Sequence, residues 1–226
     1  MKENYAKRKA KDFTWKMFLF QIWAVYCVGV PVFWFFYKYK VQGKHNIPKD
    51  RKFICTANHI SYFDPFLVFL AVNKPLAFMA KKELFEGEKM GKTISALGAF
   101  AVNRERLEVA TIKTVKEIFK TKHWTLGIFP QGGIRKNKKI EQINKGFAAI
   151  AKASKTDILP ISITGVEEYN WVPFKGQLII KIGEPISHES DIEEIIDQWG
   201  KKVAEMSGYE YIPSEKEEES KEPANV

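Results

Sequence analysis

Beyond residue 40, short apolar runs of strand length alternate with segments whose apolar residues recur at helical spacing. This alternation is typical of a parallel or mixed sheet covered by helices. The predicted strands are residues 53–57, 76–79, 100–103, 125–129, 158–164 and 177–182. The predicted helices are residues 65–72, 89–97, 107–121, 145–153 and 191–206. We therefore expect an α/β fold with a mixed, largely parallel sheet covered by helices.

The longest apolar stretch precedes this domain, at residues 18–37, where no residue carries a charge. A helix of this length is about sufficient to cross a bilayer core, but Pro31 is expected to kink it. Basic residues flank the stretch on both sides, so the positive-inside rule gives little preference for an orientation. We therefore favour a kinked pair of short helices that re-enters or lies on the membrane over a single span. A signal peptide and a buried core helix are less favoured alternatives.

The same patterns divide the chain into three regions. Residues 1–40 are predicted to form an N-terminal helical membrane-binding element, and residues 41–213 to form the α/β domain. Residues 214–226 contain five glutamates and two lysines. A segment of that composition has almost nothing to bury, which predicts an acidic, disordered tail.

The chain is basic, with a formal net charge of +9 over 226 residues, and the acidic tail makes the remainder more basic still. Such a surplus attracts anionic partners, among them nucleic acid, phospholipid headgroups, phosphorylated metabolites and acidic carrier proteins. No nucleic-acid-binding motif accompanies the charge, so we expect no nucleic-acid partner. The two cysteines, Cys27 and Cys55, show no zinc-ligand spacing. They indicate neither a disulfide framework nor a structural metal and fit a reducing cytoplasm.

His59 and Asp64 are the most informative pair, because they directly follow a predicted strand. Along a helix, five residues would separate the two side chains by about 140°, whereas a turn before Pro65 can fold Asp64 back onto His59. A carboxylate behind an imidazole fixes its tautomer and stabilises its cation, which suits deprotonation of a hydroxyl. The structural alternative is that Asp64 caps the helix beginning at Pro65. The two roles are compatible.

A covalent acyl-enzyme is not required by the sequence, which contains no GxSxG nucleophile elbow. Cys55, four residues before His59, is a conceivable nucleophile. Within an alternating strand, however, a small buried apolar role is the favoured interpretation.

Three further blocks lie downstream, and two of them contain groups able to bind an anion. Arg104 ends the block that begins at Gly98, and a guanidinium can pair bidentately with a phosphate; a surface ion pair with a neighbouring glutamate is the alternative. Gly132 lies in a glycine pair after a strand, where backbone N–H groups are accessible to an anion, and a solvated turn is the alternative. The last block is Leu159-Pro160-Ile161.

In this order and spacing, the four blocks resemble those of the glycerolipid acyltransferase family, specifically the bacterial 1-acyl-glycerol-3-phosphate acyltransferases, over about residues 41–185. The first block, Asn58-His59-x-Ser61-x-x-Asp64, is similar to the family's Asn-His-x-Ser-x-x-Asp. The third departs from the family's Phe-Pro-Glu-Gly-Thr-Arg, because Gln131 replaces the acid and Arg135 comes one position late.

The resemblance implies a membrane-associated enzyme on the cytoplasmic face of the cell membrane. It would transfer a fatty acyl chain from a thioester to the sn-2 hydroxyl of 1-acyl-sn-glycerol 3-phosphate without a covalent intermediate. His59 would be the general base and Asp64 would orient it. The implied substrate-binding residues are Asn58, Ser61, Arg104, Gln131, Gly132 and Arg135.

The implied donor is an acyl carrier protein or coenzyme A thioester, with no tightly bound cofactor and no metal. The implied partners are a phospholipid membrane and a lysophospholipid acceptor. The altered third block leaves other acceptors open, such as glycerol 3-phosphate or another lysolipid. A thioesterase or lipid hydrolase and a non-enzymatic membrane-binding protein are the remaining alternatives.

Overall fold

The computed structural model describes residues 5–103, 108–167 and 172–213, so Arg104 and the tail at residues 214–226 lie outside the described residues. The helices are α1 (Trp15–Ile22), α2 (Val30–Phe36), α3 (Asp64–Val72), α4 (Glu88–Ala96), α5 (Val109–Lys120), α6 (Gly146–Ser154) and α7 (Ile192–Ser207), with a π-helical segment at Trp23–Gly29. The strands are β1 (Tyr37–Gln42), β2 (Ile54–Ala57), β3 (Leu76–Lys81), β4 (Phe100–Val102), β5 (Thr125–Ile128), β6 (Lys139–Ile140), β7 (Ile158–Thr164), β8 (Gly176–Ile182) and β9 (Glu210–Tyr211).

Seven strands form one sheet in the order β1-β8-β7-β2-β5-β3-β4. Neighbouring strands are parallel except for β7 and β8, which are antiparallel. Strand β2 lies at the centre and all its residues are buried, as expected where helices cover both faces of a sheet. One apolar core lies between the sheet and α5, α6 and α7, and the other lies between the sheet, α3 and the N-terminal helix. The predicted α/β class with a mixed, largely parallel sheet is confirmed.

All six predicted strands and all five predicted helices are present, with bounds that differ by a few residues at most. Strand β1 was not predicted, because its sequence alternates lysines with tyrosines and shows no apolar run. Exposed lysines of this kind are common on edge strands, where they discourage further pairing. Since β1 pairs with β8 and follows α2 directly, the predicted domain boundary after residue 40 falls within a strand of the sheet.

The N-terminal apolar stretch forms one continuous helix of 22 residues, Trp15–Phe36, and an 18-residue window within it has a mean hydropathy of 1.8. Among the described residues it is the one helix long and apolar enough to cross a membrane by length and composition. The structure therefore has one continuous helix where a kinked pair of short helices was expected, and how this helix lies in a membrane stays a prediction. The reason for the continuity lies before Pro31, where the N–H of Val30 donates to Val25 across a wide π-helical turn. A proline crowds the preceding turn of an α-helix, and a π-helical turn accommodates such a residue without a break.

Gln21 fixes this helix to the sheet. Its side chain is buried; its amide nitrogen donates to the carbonyl oxygens of Leu76 and Leu97, both at 2.7 Å, and its amide oxygen accepts from the Leu76 N–H at 3.2 Å. A buried amide is stable when its polar atoms are paired in this way. One face of the helix is therefore bound to the α/β domain, while large apolar side chains on its other face remain exposed.

Candidate active site

His59 lies in the turn between β2 and α3, at the carboxyl end of the central strand, and Asp64 is the first residue of α3. The Nδ1 atom of His59 is 2.7 Å from Oδ2 of Asp64. The same oxygen accepts hydrogen bonds from the backbone N–H groups of Ile60 and Ser61, at 2.6 and 2.9 Å. The structure thus brings together the two residues that the sequence pairs. With Nδ1 facing a carboxylate, Nε2 is the ring nitrogen left to accept a proton.

Asp64 is completely buried, whereas the His59 side chain is 13% exposed. Burial raises the pKa of the Asp64 carboxyl, and the hydrogen bond and charge of His59, with the N–H groups of Ser61 and Ile60, oppose that rise. The expected capping role is wrong, because α3 begins at Asp64 itself, Phe63 occupies the capping position, and no side chain caps the helix. The carboxylate points back to the turn instead, where it holds the imidazole.

An aromatic stack supports the imidazole from behind. The ring of His59 lies nearly parallel to that of Phe129, with centroids 4.2 Å apart, and Phe129 stacks in turn on Phe78 at 5.4 Å. The backbone N–H of Arg135 also donates to the carbonyl of His59 at 2.7 Å. The imidazole is therefore fixed by a carboxylate at its edge and a ring on its face. The sequence contains Phe129 in its third block, but nothing in the pattern indicates that its ring would meet His59.

A cavity of about 890 Å³ opens beside His59, at the carboxyl ends of β2, β3, β4 and β5. Ligands of parallel sheets commonly bind at this edge. Its walls are mainly apolar and come from both cores, with Phe69 and Val25 on one side and Phe147 and Ile150 on the other. Gln21, which contacts the first residue of β3, also lines it. The cavity therefore extends from His59 along β3 to the N-terminal helix.

Two predicted substrate-binding residues are buried away from this cavity. Asn58 exchanges two hydrogen bonds with the backbone of Ile163, each of 2.8 Å, and is completely buried. Ser61 is likewise buried, and its hydroxyl accepts from the N–H of Phe63 at 3.1 Å. Neither side chain lines the cavity. Both make structural hydrogen bonds around the turn that carries His59, and the substrate contact expected of them stays a prediction.

The third block also differs from expectation. Gln131 is buried and donates to the carbonyls of Lys139 and Glu141, at 3.1 and 3.5 Å, so its amide faces a neighbouring strand. The guanidinium of Arg135 donates to Gln142 at 2.6 Å and does not line the cavity. Gly132 does line it, but its N–H donates to Phe129 within a turn that requires a positive φ of 68°. The predicted anion-binding amide of Gly132 is therefore already used within the turn.

Two cations on the cavity wall were not predicted, Lys81 and Lys145. Lys81 ends β3, beside the end of the central strands, and Lys145 is the capping residue of α6. Lys81 lies 3.5 Å from Glu83, and Lys145 lies 3.0 Å from Glu193. The sequence signal for Lys81 was its place two residues after the predicted strand 76–79, since functional side chains of such sheets collect at the carboxyl ends of strands.

Cys55 is buried in the centre of the sheet, between β5 and β7, and does not line the cavity. Burial raises the pKa of its thiol far above the ordinary value, which disfavours the reactive thiolate. This arrangement agrees with the apolar interpretation of Cys55. Within residues 5–103, 108–167 and 172–213, no three His, Cys, Asp or Glu side chains come together as metal ligands would.

A family model described as Acyltransferase matches residues 38–164. The chain is 32% identical over 165 residues to the 1-acyl-sn-glycerol-3-phosphate acyltransferase of Streptococcus pneumoniae, covering 71% of this chain and 61% of that protein. It is 29% identical over 157 residues to the Bacillus subtilis enzyme of the same name, covering 69% of this chain and 77% of that one.

Among solved structures, the chain is similar to the crystal structure of the 1-acyl-sn-glycerophosphate (LPA) acyltransferase from Thermotoga maritima, with a TM-score of 0.66 and 26% identity. The match covers 87% of this chain and 83% of that one. The resemblance inferred from the four sequence blocks is thereby confirmed. The family model covers more than half of the chain, and the chain belongs to the acyltransferase family.

Proposed function

We propose that this protein transfers a fatty acyl group from an acyl thioester to the sn-2 hydroxyl of 1-acyl-sn-glycerol 3-phosphate, which yields phosphatidic acid. The observation that carries the proposal is the pairing of His59 with buried Asp64 at the rim of a large apolar cavity. The names of the relatives from three bacteria support the same acceptor.

The chemistry follows from the dyad. Nε2 of His59 removes the proton from the acceptor hydroxyl as its oxygen attacks the thioester carbonyl, and Asp64 stabilises the imidazolium that forms. The thiolate leaves when the tetrahedral intermediate collapses, and the imidazolium returns the proton to it. General base catalysis of this kind contributes about 10²–10⁴ to the rate.

The phosphate of the acceptor requires positive charge near His59. Lys81 and Lys145 supply such charge at the cavity wall, and α6 begins there without a side-chain cap. The amino end of a helix favours an anion. We include Arg104 in this proposal, since the described chain reaches the cavity wall at Asn103, the residue before it. Fixing the phosphate orients the distant hydroxyl. Orientation of this kind lowers the activation barrier by roughly several kcal/mol in well-aligned reactions.

The apolar cavity suits the acyl chains of both donor and acceptor. The donor in this proposal is a thioester of acyl carrier protein or coenzyme A. The helix Trp15–Phe36, within the proposed membrane element at residues 1–40, holds the α/β domain at the cytoplasmic face of the membrane, where the lysolipid resides. Its exposed aromatic face and the basic flanking residues support this placement.

The test measures transfer of labelled acyl groups from acyl carrier protein and from coenzyme A to lysophosphatidic acid, with glycerol 3-phosphate as a competing acceptor. The wild type is compared with His59→Ala and with His188→Ala. His188 makes a similar pair with Asp157, at 2.7 Å, and does not line the cavity. We expect His59→Ala to lose about 10²–10⁴ of the rate and His188→Ala to retain activity.

Three results would contradict the proposal. Phosphatidic acid formation by His59→Ala at the wild-type rate would show that His59 is not the general base. Preference for glycerol 3-phosphate would assign another acceptor. Release of free fatty acid without transfer would assign a thioesterase.

A further inference from the structure

Three exposed aromatic side chains meet at the carboxyl end of the N-terminal helix. Trp34 and Phe35 belong to α2, and Phe174 belongs to the turn before β8. The ring of Phe174 lies edge-on to Trp34, with centroids 5.7 Å apart, and 5.4 Å from Phe35. Trp34 remains 63% exposed and Phe174 remains 46% exposed. The cluster therefore presents aromatic surface outward, and it combines two segments that are far apart in the sequence.

Phe174 has a φ of +62°, in the left-handed region that residues with a side chain rarely adopt. Its N–H donates to the carbonyl of Phe35 at 2.9 Å, and the N–H of Lys175 donates to Val172 at 3.3 Å. The next residue, Gly176, begins β8 and pairs with Tyr37. The turn is thus fixed by hydrogen bonds to β1 and α2, and glycine or asparagine would adopt its backbone more easily. An exposed phenylalanine held in such a conformation indicates a role other than stabilising the fold.

The surroundings of Phe174 identify the kind of partner. Lys38 and Lys40 on β1 and Lys175 in the turn are exposed, as is the apolar side chain of Val172. Aromatic side chains beside lysines are typical of segments at the headgroup level of a membrane that contains anionic lipid. The cluster is also continuous with the exposed aromatic face of the helix Trp15–Phe36. Both its charge and its position favour a lipid surface.

We propose that the turn Val172 to Phe174 is a second membrane anchor, which inserts Phe174 beside Trp34 and Phe35 into an anionic lipid surface. This inference rests on the membrane placement in the proposed function and adds to it a defined orientation. A helix lying on a surface can roll about its own axis. A second contact away from that axis stops the rolling and keeps the cavity, which the helix lines at Gln21 and Val25, in one orientation toward the lipid.

The experiment measures binding to vesicles made of equal parts phosphatidylcholine and phosphatidylglycerol, by co-sedimentation of the full chain. Phe174→Asn removes the ring and keeps a residue that tolerates a positive φ. Phe174→Trp keeps an aromatic anchor. Val109→Asn is the matched control, because Val109 is an exposed apolar residue at the start of α5, outside both the helix and the turn.

We expect Phe174→Asn to weaken vesicle binding roughly tenfold, in line with removing one interfacial aromatic side chain, while Phe174→Trp and Val109→Asn bind as the wild type does. Activity on a short-chain, water-soluble lysophosphatidic acid stays unchanged in Phe174→Asn, and activity on acceptor embedded in vesicles falls. Replacement of phosphatidylglycerol by phosphatidylcholine weakens wild-type binding, since the lysines then meet no anionic headgroups.

Unchanged vesicle binding by Phe174→Asn overturns the proposal. Equal weakening by Val109→Asn also overturns it, because the effect is then a general loss of apolar surface. Loss of activity on the soluble acceptor assigns Phe174 a role in the fold instead. Conversion of a wild-type dimer to a monomer by Phe174→Asn, without vesicles, assigns the cluster to a second copy of the chain. Failure of the proposed acyl transfer can be distinguished from failure of the anchor proposal. In that case the wild-type protein binds vesicles but makes no phosphatidic acid.

Discussion

Replacing Gly127 with alanine is expected to slow catalysis although Gly127 does not line the cavity. Gly127 lies on β5, where it pairs with Phe78 of β3. A Cβ atom at Gly127 would lie 2.4 Å from Cε1 of Phe78 and 2.6 Å from Cδ1. Ordinary contacts begin at 3.4 Å, so the ring of Phe78 must move by about 1 Å, a displacement that a closely packed core transmits to its neighbours.

The displaced ring is the outer member of the stack that supports His59. Phe78 packs on Phe129 and Phe129 packs on the imidazole of His59, so the shift reaches the proposed general base. A misplacement of about 1 Å costs on the order of 10²-fold in rate, and overpacking a core costs about 1–3 kcal/mol of stability. We expect kcat to fall by about ten- to a hundredfold in Gly127→Ala, with a lower midpoint of thermal unfolding and little change in KM.

The assay is steady-state acyl transfer at saturating donor, together with thermal unfolding. Gly87→Ala is the matched control, because its new Cβ would meet Met90 at an ordinary 3.8 Å. The double variant Gly127→Ala/Phe78→Leu removes the clashing ring edge, so its loss of stability should be smaller than the sum of the two single losses. Wild-type kcat in folded Gly127→Ala, or an equal loss in Gly87→Ala, would refute the transmission through the stack.

Two further changes probe the dyad's support and the second His-Asp pair. Phe129→Leu should lower kcat roughly two- to thirtyfold, since an aromatic ring face against an imidazolium contributes about 0.5–2 kcal/mol. Phe129→Tyr keeps the ring and should retain kcat. Equal kcat in the two variants would contradict the stacking role. For Asp157, burial raises the pKa, but hydrogen bonds from His188 and the charge of Arg51 outweigh it, so the pKa is lowered overall. A carboxyl whose pKa is lowered in the folded state stabilises the fold at pH values above its unfolded-state pKa, near 4. This stabilisation is lost as the pH falls through the folded-state pKa. Asp157→Asn should therefore reduce unfolding free energy at pH 7 by about 2 kcal/mol, and the difference should shrink below about pH 4. Urea unfolding of wild type and Asp157→Asn at pH 7 and below about pH 4 measures this difference. Glu88→Gln is the control, because Glu88 is exposed and ion-paired and its replacement should change the unfolding free energy little. A difference in unfolding free energy that is the same at both pH values would contradict the prediction.

The sequence was sufficient to predict the sheet and the dyad because both depend on local patterns. The central strands are continuous apolar runs, and His59 and Asp64 stand five residues apart across one turn. Strand β1 carried no such pattern, since an edge strand needs little burial and tolerates lysine. Its place in the sheet depends on β8, which lies far along the chain.

The substrate-binding residues were harder to predict, because residue type does not reveal the direction of a side chain. Asn58 resembles a ligand-binding amide in sequence, yet both of its polar groups pair with the backbone of Ile163, 105 residues away. Conversely, Lys81 and Phe129 reach the site through strand register and ring stacking. Register across a sheet is a property of pairs of segments, and a single sequence gives no direct sign of it.

The altered third block has a physical explanation in the contacts of Gln131. Its side-chain amide donates to two backbone carbonyls, those of Lys139 and Glu141. A glutamate carboxylate, as in the Phe-Pro-Glu-Gly-Thr-Arg pattern that the block resembles, has no hydrogen to donate, and it would face those oxygens with a negative charge. The exchange of glutamate for glutamine therefore fits the path of residues 139–141 in this chain. Arg135 contacts the same region, because its guanidinium donates to Gln142 just beyond that segment while its backbone N–H donates to the carbonyl of His59. The block therefore contacts the turn that carries His59 through its backbone, where residue identity matters least.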